Sequence, residues 1–209
     1  MHFIDTAQYQ FTRATRDALT AVGEAADAAV RDYIEPVADM TVMVESSVDV
    51  LETGDNAATL EPGLIRWWFD PNLDVVQLAN DHFARAFAHE AFHATRFRTL
   101  RSEASAPTWL DIAINEGLAT TFARDIAGAY EPWSTYDPHV IEEWCRELLS
   151  LDTTTATLSH WKFQHPDGRQ WIAFRVGTWI IDTSLEPALR PRPTSSGRHL
   201  PRSPNSVPS

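Results

Sequence analysis

The chain has 209 residues, of which 44% are hydrophobic and 22% are charged. The length suits one domain with a possible appendage, and the composition is that of a soluble globular protein. Eight Trp and ten Phe supply bulky core material, which excludes wholesale disorder. The formal net charge of −12 at pH 7 argues against non-specific nucleic-acid binding and against an anionic membrane surface, because both need a basic face.

Three further features bear on the compartment. The single cysteine, Cys145, excludes an internal disulfide framework. No apolar run approaches the ~18–20 residues of a membrane span. The N-terminal residues lack the basic start and apolar centre of a secretory signal. We therefore expect a cytoplasmic protein with no membrane partner.

The first part of the chain predicts one long helix and two strands. Apolar residues recur at helical spacing over 6–34, and either Asp5 or Thr6 can cap this helix. The β-branched run at 41–45 and the aromatic run at 64–70 predict two strands. They would form a small N-terminal sheet in an α+β, mostly helical chain.

The middle of the chain predicts a loop and two helices. The stretch 52–61, between the two strands, is typical of a loop. A helix is expected at 82–100, capped by Asn80 or Asp81. The next helix is expected at 107–128, with a proline in its first turn.

The composition changes sharply near the C-terminus. Residues 138–150 predict another helix, and residues 170–183 fit a helix or a strand, of which we favour the helix. From 187 to 209 the chain is rich in proline, serine and arginine and has almost no large apolar groups, which predicts a disordered tail. We thus expect a domain over 1–186 followed by this tail.

Residues 89–93 read His-Glu-Ala-Phe-His and fall within the predicted helix at 82–100. Positions i and i+4 share one face of a helix, so the imidazoles of His89 and His93 can bind one metal ion. Glu90 points aside from such an ion but can reach a water bound to it. This arrangement indicates a zinc hydrolase in which Glu90 is the general base.

A catalytic zinc ion needs a third protein ligand and one open position for water. Glu116 lies 23 residues after His93, on the apolar side of the next predicted helix. A carboxylate there is costly unless it is paired or metal-bound, so Glu116 is the expected third ligand. Alternatively, Glu116 is a solvent-exposed charge on the surface of the helix. Gly117 beside it would let the two helices approach closely.

Three segments carry a family resemblance: HEAFHATR at 89–96, NEGLATTFA at 115–123 and, more weakly, WIAFRVG at 171–177. They resemble the gluzincin class of zinc metallopeptidases, of which thermolysin is a member. Within that class the chain is similar to an uncharacterised bacterial family of predicted zinc-dependent proteases, over roughly residues 6–185.

The resemblance implies a zincin-like domain in which an HExxH helix and a following glutamate helix carry the site. It implies one Zn²⁺ per chain, bound by His89, His93 and Glu116. A metal-bound water activated by Glu90 would then hydrolyse a bond in a peptide or protein substrate. The oligomeric state stays open.

Two positions depart from the resemblance. Thr120 stands where thermolysin-like enzymes carry an aspartate that orients a ligand histidine. Phe174 stands where the similar family carries a tyrosine. If that tyrosine stabilises the oxyanion, another donor must replace it here. The candidate donors are Arg175, His165 and Tyr136, with Arg169 and His160 also open.

Three functions follow from these residues. The intact Glu90 favours an active zinc metallopeptidase. Thr120 and Phe174 leave open a catalytically silent zinc-binding domain with a regulatory or interaction role. A helical domain without any metal is the third. Zinc content separates the last from the others, and cleavage that is lost in Glu90→Gln while zinc is retained separates the first two.

Overall fold

The structure is a computed structural model, and it describes residues 1–34, 40–99, 107–128, 131–151 and 155–189. It is α+β and mostly helical, with a small sheet built from the first 69 residues. The strands are β1 (His2–Phe3), β2 (Thr41–Ser46), β3 (Asp55–Glu61) and β4 (Leu64–Phe69). The helices are α1 (Arg13–Arg31), α2 (Val75–Leu78), α3 (Ala84–Thr99), α4 (Trp109–Ala127), α5 (Ile141–Leu149), α6 (Thr155–Lys162) and α7 (Ile172–Leu189).

The sheet has four strands in the order β1-β2-β4-β3. β2 runs parallel to β1 and β4, whereas β3 is antiparallel to β4 and forms one edge. The turn between β3 and β4 places Gly63 at φ +85°, a left-handed conformation that glycine adopts without steric cost. The strands predicted at 41–45 and 64–70 are confirmed. The loop predicted at 52–61 is wrong, because most of it forms β3.

α1 begins later than the sequence predicts. It starts at Arg13, and Thr12 is its N-cap, whose side chain accepts a hydrogen bond from the Thr15 N–H. Asp5 and Thr6, the predicted caps, instead accept backbone N–H groups in the loop that follows β1. His2 and Phe3 pair with β2, and a loop that contains a hydrogen bond from the Thr6 N–H to the Tyr9 carbonyl separates them from α1.

One helical stretch connects the sheet to the candidate site. α2 begins after Asp74, whose side chain accepts the N–H groups of Val76 and Gln77. A π-helical turn at Ala79–Phe83 follows, and α3 continues from it. The predicted caps Asn80 and Asp81 therefore lie inside a helical stretch. The helix predicted at 82–100 is confirmed, with an earlier start.

The first hydrophobic core joins the sheet to α1 and the start of α3. Alternate side chains of β2 and β4 are buried, as a sheet with one face on the core requires. Bulky rings fill the space between the sheet and α3. The large buried aromatic residues are Phe11, Trp67, Phe69, Phe83 and Phe87.

α4 and α7 pack with their backbones almost in contact. A Cβ at Gly117 would lie 2.2 Å from the carbonyl carbon of Gly177, and a Cβ at Gly177 would lie 1.8 Å from the Ala113 oxygen. Both glycines are therefore required for this approach. The sequence assigned Gly117 to the contact between α3 and α4. The structure corrects that, because the close approach is between α4 and α7.

A second hydrophobic core lies among α4, α5, α6 and α7. Its buried residues include Trp109, Ile141, Leu148, Trp161 and Ile172. The predicted helices at 107–128, 138–150 and 170–183 are confirmed as α4, α5 and α7.

α7 continues to Leu189, so the first residues of the predicted tail are helical. The rest of that tail, 190–209, lies outside the described residues. Among the residues that the structure describes, no helix has both the length and the apolar character needed to cross a membrane.

Candidate metal centre

Two neighbouring helices bring three potential metal ligands together. His89 and His93 lie one turn apart on α3, and Glu116 projects from α4. Nε2 of His93 lies 3.0 Å from Nε2 of His89. Both nitrogens lie 3.3 Å from Oε2 of Glu116. Because all three side chains are largely buried, their donor atoms converge on one point inside the protein.

The donor set and its spacing suit a tetrahedral metal ion. Zinc bonds of ~2.0–2.1 Å at tetrahedral angles place the donor atoms roughly 3.3 Å apart. The observed separations are 3.0 Å and 3.3 Å. Two imidazoles and one carboxylate leave a fourth position for another group. The three residues predicted as ligands thus form a cluster that could hold a metal ion.

The electrostatics of the cluster keep Glu116 ionised. Burial by itself raises the pKa of the Glu116 carboxyl, but hydrogen bonds from His89 and His93 and the charge of Lys162 outweigh it. The pKa of Glu116 is therefore held well below its usual range. Burial lowers the pKa of His93, yet the hydrogen bond and negative charge of Glu116 raise it overall. A buried carboxylate that stays charged is suited to bind a cation.

Lys162, the last residue of α6, lies beside this carboxylate. Its Nζ is 2.8 Å from Oε1 of Glu116, while Oε2 faces the two histidines. The same ammonium group lies over the rings of Phe163 and Phe174, 5.6 Å and 5.5 Å from their centroids. Each oxygen of Glu116 therefore has its own partners, which fixes the plane of the carboxylate.

Glu90 is held by the edge strand of the sheet. The backbone N–H of Thr59 on β3 donates to Oε2 of Glu90 at 2.6 Å. The Thr59 hydroxyl lies 2.8 Å from Oε2 and 2.8 Å from the Glu90 carbonyl oxygen, and its single proton can serve one of them at a time. Oε1 of Glu90 has no hydrogen-bond donor within the described part of the chain. One oxygen is thus anchored and the other is available to a bound molecule.

Asn115 contacts one histidine of the cluster. Its side-chain nitrogen lies 3.1 Å from Nδ1 of His93. A histidine that binds metal through Nε2 carries its proton on Nδ1. The side-chain oxygen of Asn115 accepts a hydrogen bond from that N–H when the amide is turned so that its oxygen faces the ring. Thr120 is buried beside the cleft, but its hydroxyl has no hydrogen-bond partner among the described residues. The orienting contact therefore comes from the residue before Glu116, not from position 120.

The cluster opens into a cleft of about 940 Å³. Residues of β3 line one side of it, and aromatic side chains line another. The Phe174 ring lies 6.0 Å from the ring of His89. Trp171 holds a left-handed backbone at φ +60°, which is strained for a bulky residue, and its indole N–H donates to Glu52. The aromatic wall consists of Trp133, Phe163, Trp171 and Phe174.

The oxyanion donors proposed from the sequence lie elsewhere. The hydroxyl of Tyr136 donates to Asp182 at 3.1 Å. Arg175 donates to the carbonyl oxygen of Pro132 at 2.9 Å. His165 lies 2.8 Å from a carboxylate oxygen of Asp167. None of the three lines the cleft in the described part of the chain.

Sequence reasoning missed three residues that contact the cluster or Glu90. Asn115 is the first residue of the segment NEGLATTFA at 115–123, but the sequence assigned it no function. Lys162 is the only lysine in the sequence, a signal that composition alone could have raised. Thr59 carried no signal, because it lay in a stretch assigned to a loop.

Comparison with known proteins gives a family match. Residues 22–186 match the model of a family described as "Predicted Zn-dependent protease (DUF2268)". No curated protein and no solved structure matches the chain. The matched range includes every residue of the metal cluster as well as Glu90 and Lys162.

Proposed function

The chain belongs to the DUF2268 family of predicted Zn-dependent proteases, and from this membership we propose that it is a zinc-dependent peptidase. One observation carries the proposal. His89, His93 and Glu116 place three donor atoms 3.0–3.3 Å apart in a buried cluster, at the floor of a cleft that can admit a peptide. In this proposal the fold is zincin-like and each chain holds one zinc ion.

The roles of the ligands follow from their chemistry. The two imidazoles bind through Nε2, and Asn115 holds the ring of His93 in that orientation. Glu116 binds through Oε2, because Lys162 occupies its other oxygen. A zinc ion in this setting supplies a Lewis acid that polarises a carbonyl group and lowers the pKa of water to about 7.

Glu90 is the general base in this proposal. Thr59 anchors its Oε2, so Oε1 accepts a proton from the water that attacks the peptide carbonyl. The water oxygen forms a bond to the carbonyl carbon, and the π electrons of the carbonyl move onto its oxygen. When the carbon–nitrogen bond breaks, Glu90 returns the proton to the leaving amine.

The position of the edge strand β3 favours a peptide as the substrate. The strand borders the cleft beside Glu90. The Thr59 N–H is taken by Glu90, but an edge strand has further backbone groups that can pair with an extended peptide. The aromatic wall opposite supplies apolar surface for substrate side chains. A peptide or protein is therefore the proposed substrate class, with no nucleic-acid partner.

The test measures zinc and cleavage on the same samples. Wild type, His93→Ala, Glu116→Ala and Glu90→Gln are purified, and zinc per chain is determined by elemental analysis. We expect one zinc in wild type and Glu90→Gln, and its loss from the two ligand variants with the helical circular dichroism retained. Cleavage of an unfolded protein such as reduced casein should require both zinc and Glu90.

The alternative is a catalytically silent zinc-binding domain. Zinc that binds at one per chain, together with no cleavage of casein or of a mixed peptide library, would favour this alternative. A well-folded wild type that takes up no zinc would contradict both functions.

A further inference from the structure

We propose that Lys162 is the cationic hydrogen-bond donor that stabilises the oxyanion formed during peptide hydrolysis, which builds on the peptidase function proposed above. The starting point is its placement. Nζ of Lys162 lies 2.8 Å from Oε1 of Glu116, and the side chain lines the same cleft as the three ligands and Glu90. Its side chain is 23% exposed, so it is shielded from water but open to the cleft.

The hydrogen-bonding capacity of Lys162 is not used up by Glu116. An ammonium group carries three N–H donors, and Glu116 is the only hydrogen-bond acceptor of Nζ within the described residues. Its other near neighbours are the faces of Phe163 and Phe174. These rings attract the cation but leave its remaining N–H groups without an oxygen acceptor. A negatively charged oxygen in the cleft would supply one.

The other cations along the cleft are committed to carboxylates outside the cluster. Arg85 pairs with Glu131. Arg124 pairs with Asp182 through two nitrogens, at 2.7 Å and 3.1 Å. Neither arginine contacts a ligand of the cluster within the described residues. Lys162 is therefore the cation at the end of the cleft that holds the metal cluster.

The charge balance changes when a divalent cation joins the cluster. The cluster end of the cleft holds two carboxylates, Glu116 and Glu90, and one ammonium group, Lys162. Without the metal these three charges sum to −1, and a divalent cation changes the sum to +1. A positive charge in a low-dielectric site attracts a negative charge that develops nearby more strongly than it would in water.

The proposed role does not transfer a proton. While the water oxygen bonds to the carbonyl carbon and Glu90 takes a water proton, the carbonyl oxygen becomes negative. An N–H of Lys162 donates a hydrogen bond to that oxygen and keeps its proton. The interaction weakens again when the carbon–nitrogen bond breaks and the carbonyl double bond returns. Lys162 thus stabilises the transition state more than the ground state.

The experiment uses full-length Lys162→Met, which keeps an unbranched apolar side chain of similar length, and Lys162→Gln, which keeps a neutral donor. Arg66→Met is the matched control, because Arg66 also pairs with a carboxylate and lies over an aromatic ring, yet does not line the cleft. All proteins are assayed in saturating zinc after zinc content is measured.

Two measurements are made on the zinc-loaded proteins. The first is kcat and KM on a fluorogenic peptide that wild type cleaves. The second is the affinity for N-phosphoryl-phenylalanine amide, whose charged phosphoryl oxygens resemble the oxyanion, relative to the uncharged N-acetyl-phenylalanine amide. The second needs no turnover, so it tests Lys162 even if the peptidase function fails.

We expect one zinc per chain in every variant. Lys162→Met should lower kcat by about 10²–10³-fold with little change in KM, the loss typical of removing one oxyanion donor. The affinity of Lys162→Met for the phosphoryl compound should be more than tenfold lower than that of wild type, while its affinity for the acetyl compound should be unchanged. For Lys162→Gln, kcat and the affinity for the phosphoryl compound should lie between those of wild type and Lys162→Met. Both quantities should be as in wild type for Arg66→Met.

Two results would overturn the proposal. Wild-type affinity of Lys162→Met for the phosphoryl compound would show that Lys162 does not touch the oxyanion. Loss of zinc from Lys162→Met, with full kcat restored when zinc is raised, would show that Lys162 only positions Glu116. Failure of the peptidase function gives a different pattern, in which wild type itself cleaves no peptide.

Discussion

The backbone N–H of Thr59 donates a hydrogen bond of 2.6 Å to Oε2 of Glu90. This contact joins the edge strand of the sheet to the helix that carries the two histidines. A carboxylate that is anchored at one oxygen loses little rotational freedom when its other oxygen takes up a proton. In the proposed function the edge strand would therefore orient Glu90 as well as bind the substrate.

Replacing Thr59 by valine tests the hydroxyl part of this contact. The substitution keeps the backbone N–H and the branched shape, and removes one hydrogen bond to Glu90. We expect kcat to fall roughly fivefold, corresponding to about 1 kcal/mol for one hydrogen bond, with zinc content unchanged. Thr183→Val makes the same change at an exposed position on α7 and should leave kcat as in wild type. An equal loss in both variants would contradict the anchoring role.

Replacing Asn115 by alanine tests the partner of His93. The substitution removes the side-chain amide that contacts Nδ1 of His93, so the ring is less firmly oriented. Partners of this kind usually contribute 10–100-fold to metal affinity, and we expect the zinc dissociation constant to rise by about that factor. Competition with a chromophoric chelator measures it. Thr120→Val is the control, since the Thr120 hydroxyl has no hydrogen-bond partner in the described part of the chain, and it should keep wild-type affinity.

The long helices were predictable because the spacing of their apolar residues can be read within each helix alone. The same reasoning failed for β3, whose sequence Asp-Asn-Ala-Ala-Thr-Leu-Glu has little intrinsic strand preference. This segment is a strand because it pairs with β4 along its length. The pairing is a tertiary effect that single-sequence patterns do not contain.

The candidate site divides in the same way. The clustering of His89, His93 and Glu116 was predictable, because the i, i+4 spacing places both histidines on one face of a helix and a carboxylate on an apolar helix face needs a partner. Lys162 was not predictable as a contact, since it reaches Glu116 from another helix distant in sequence. The proposed oxyanion donor therefore depends on tertiary packing, which brings the last residue of α6 to Glu116 on α4.

The glycine pair between α4 and α7 leads to a prediction about stability. Gly177→Ala would place a Cβ 1.8 Å from the Ala113 carbonyl oxygen, and a backbone atom cannot move aside as a flexible side chain can. We expect a loss of about 3 kcal/mol or more in the free energy of unfolding, at the upper end for overpacking. Urea denaturation measures it. Ser184→Ala, on an exposed part of the same helix, should change stability by less than about 0.5 kcal/mol.

The pair Glu116 and His93 predicts how the stability of the metal-free protein depends on pH. The pKa of His93 is raised above 6.5 in the folded state, so its contribution is complete below pH 6.5 and is lost as pH rises through the folded value. The pKa of Glu116 is lowered from 4.5, so its contribution is complete above pH 4.5 and is lost as pH falls toward the folded value. The pair is therefore most stabilising between about pH 4.5 and 6.5.

The matching measurement compares urea denaturation of metal-free wild type and Glu116→Gln from pH 4 to pH 8. Taking the difference cancels the titration of the other acidic groups. We expect the advantage of wild type to shrink between pH 6 and pH 8, because Glu116 no longer faces a protonated His93. Zinc should reverse this trend, since binding requires neutral imidazoles and strengthens as pH rises. An advantage that stays constant over this range would mean that the two side chains do not titrate as a pair.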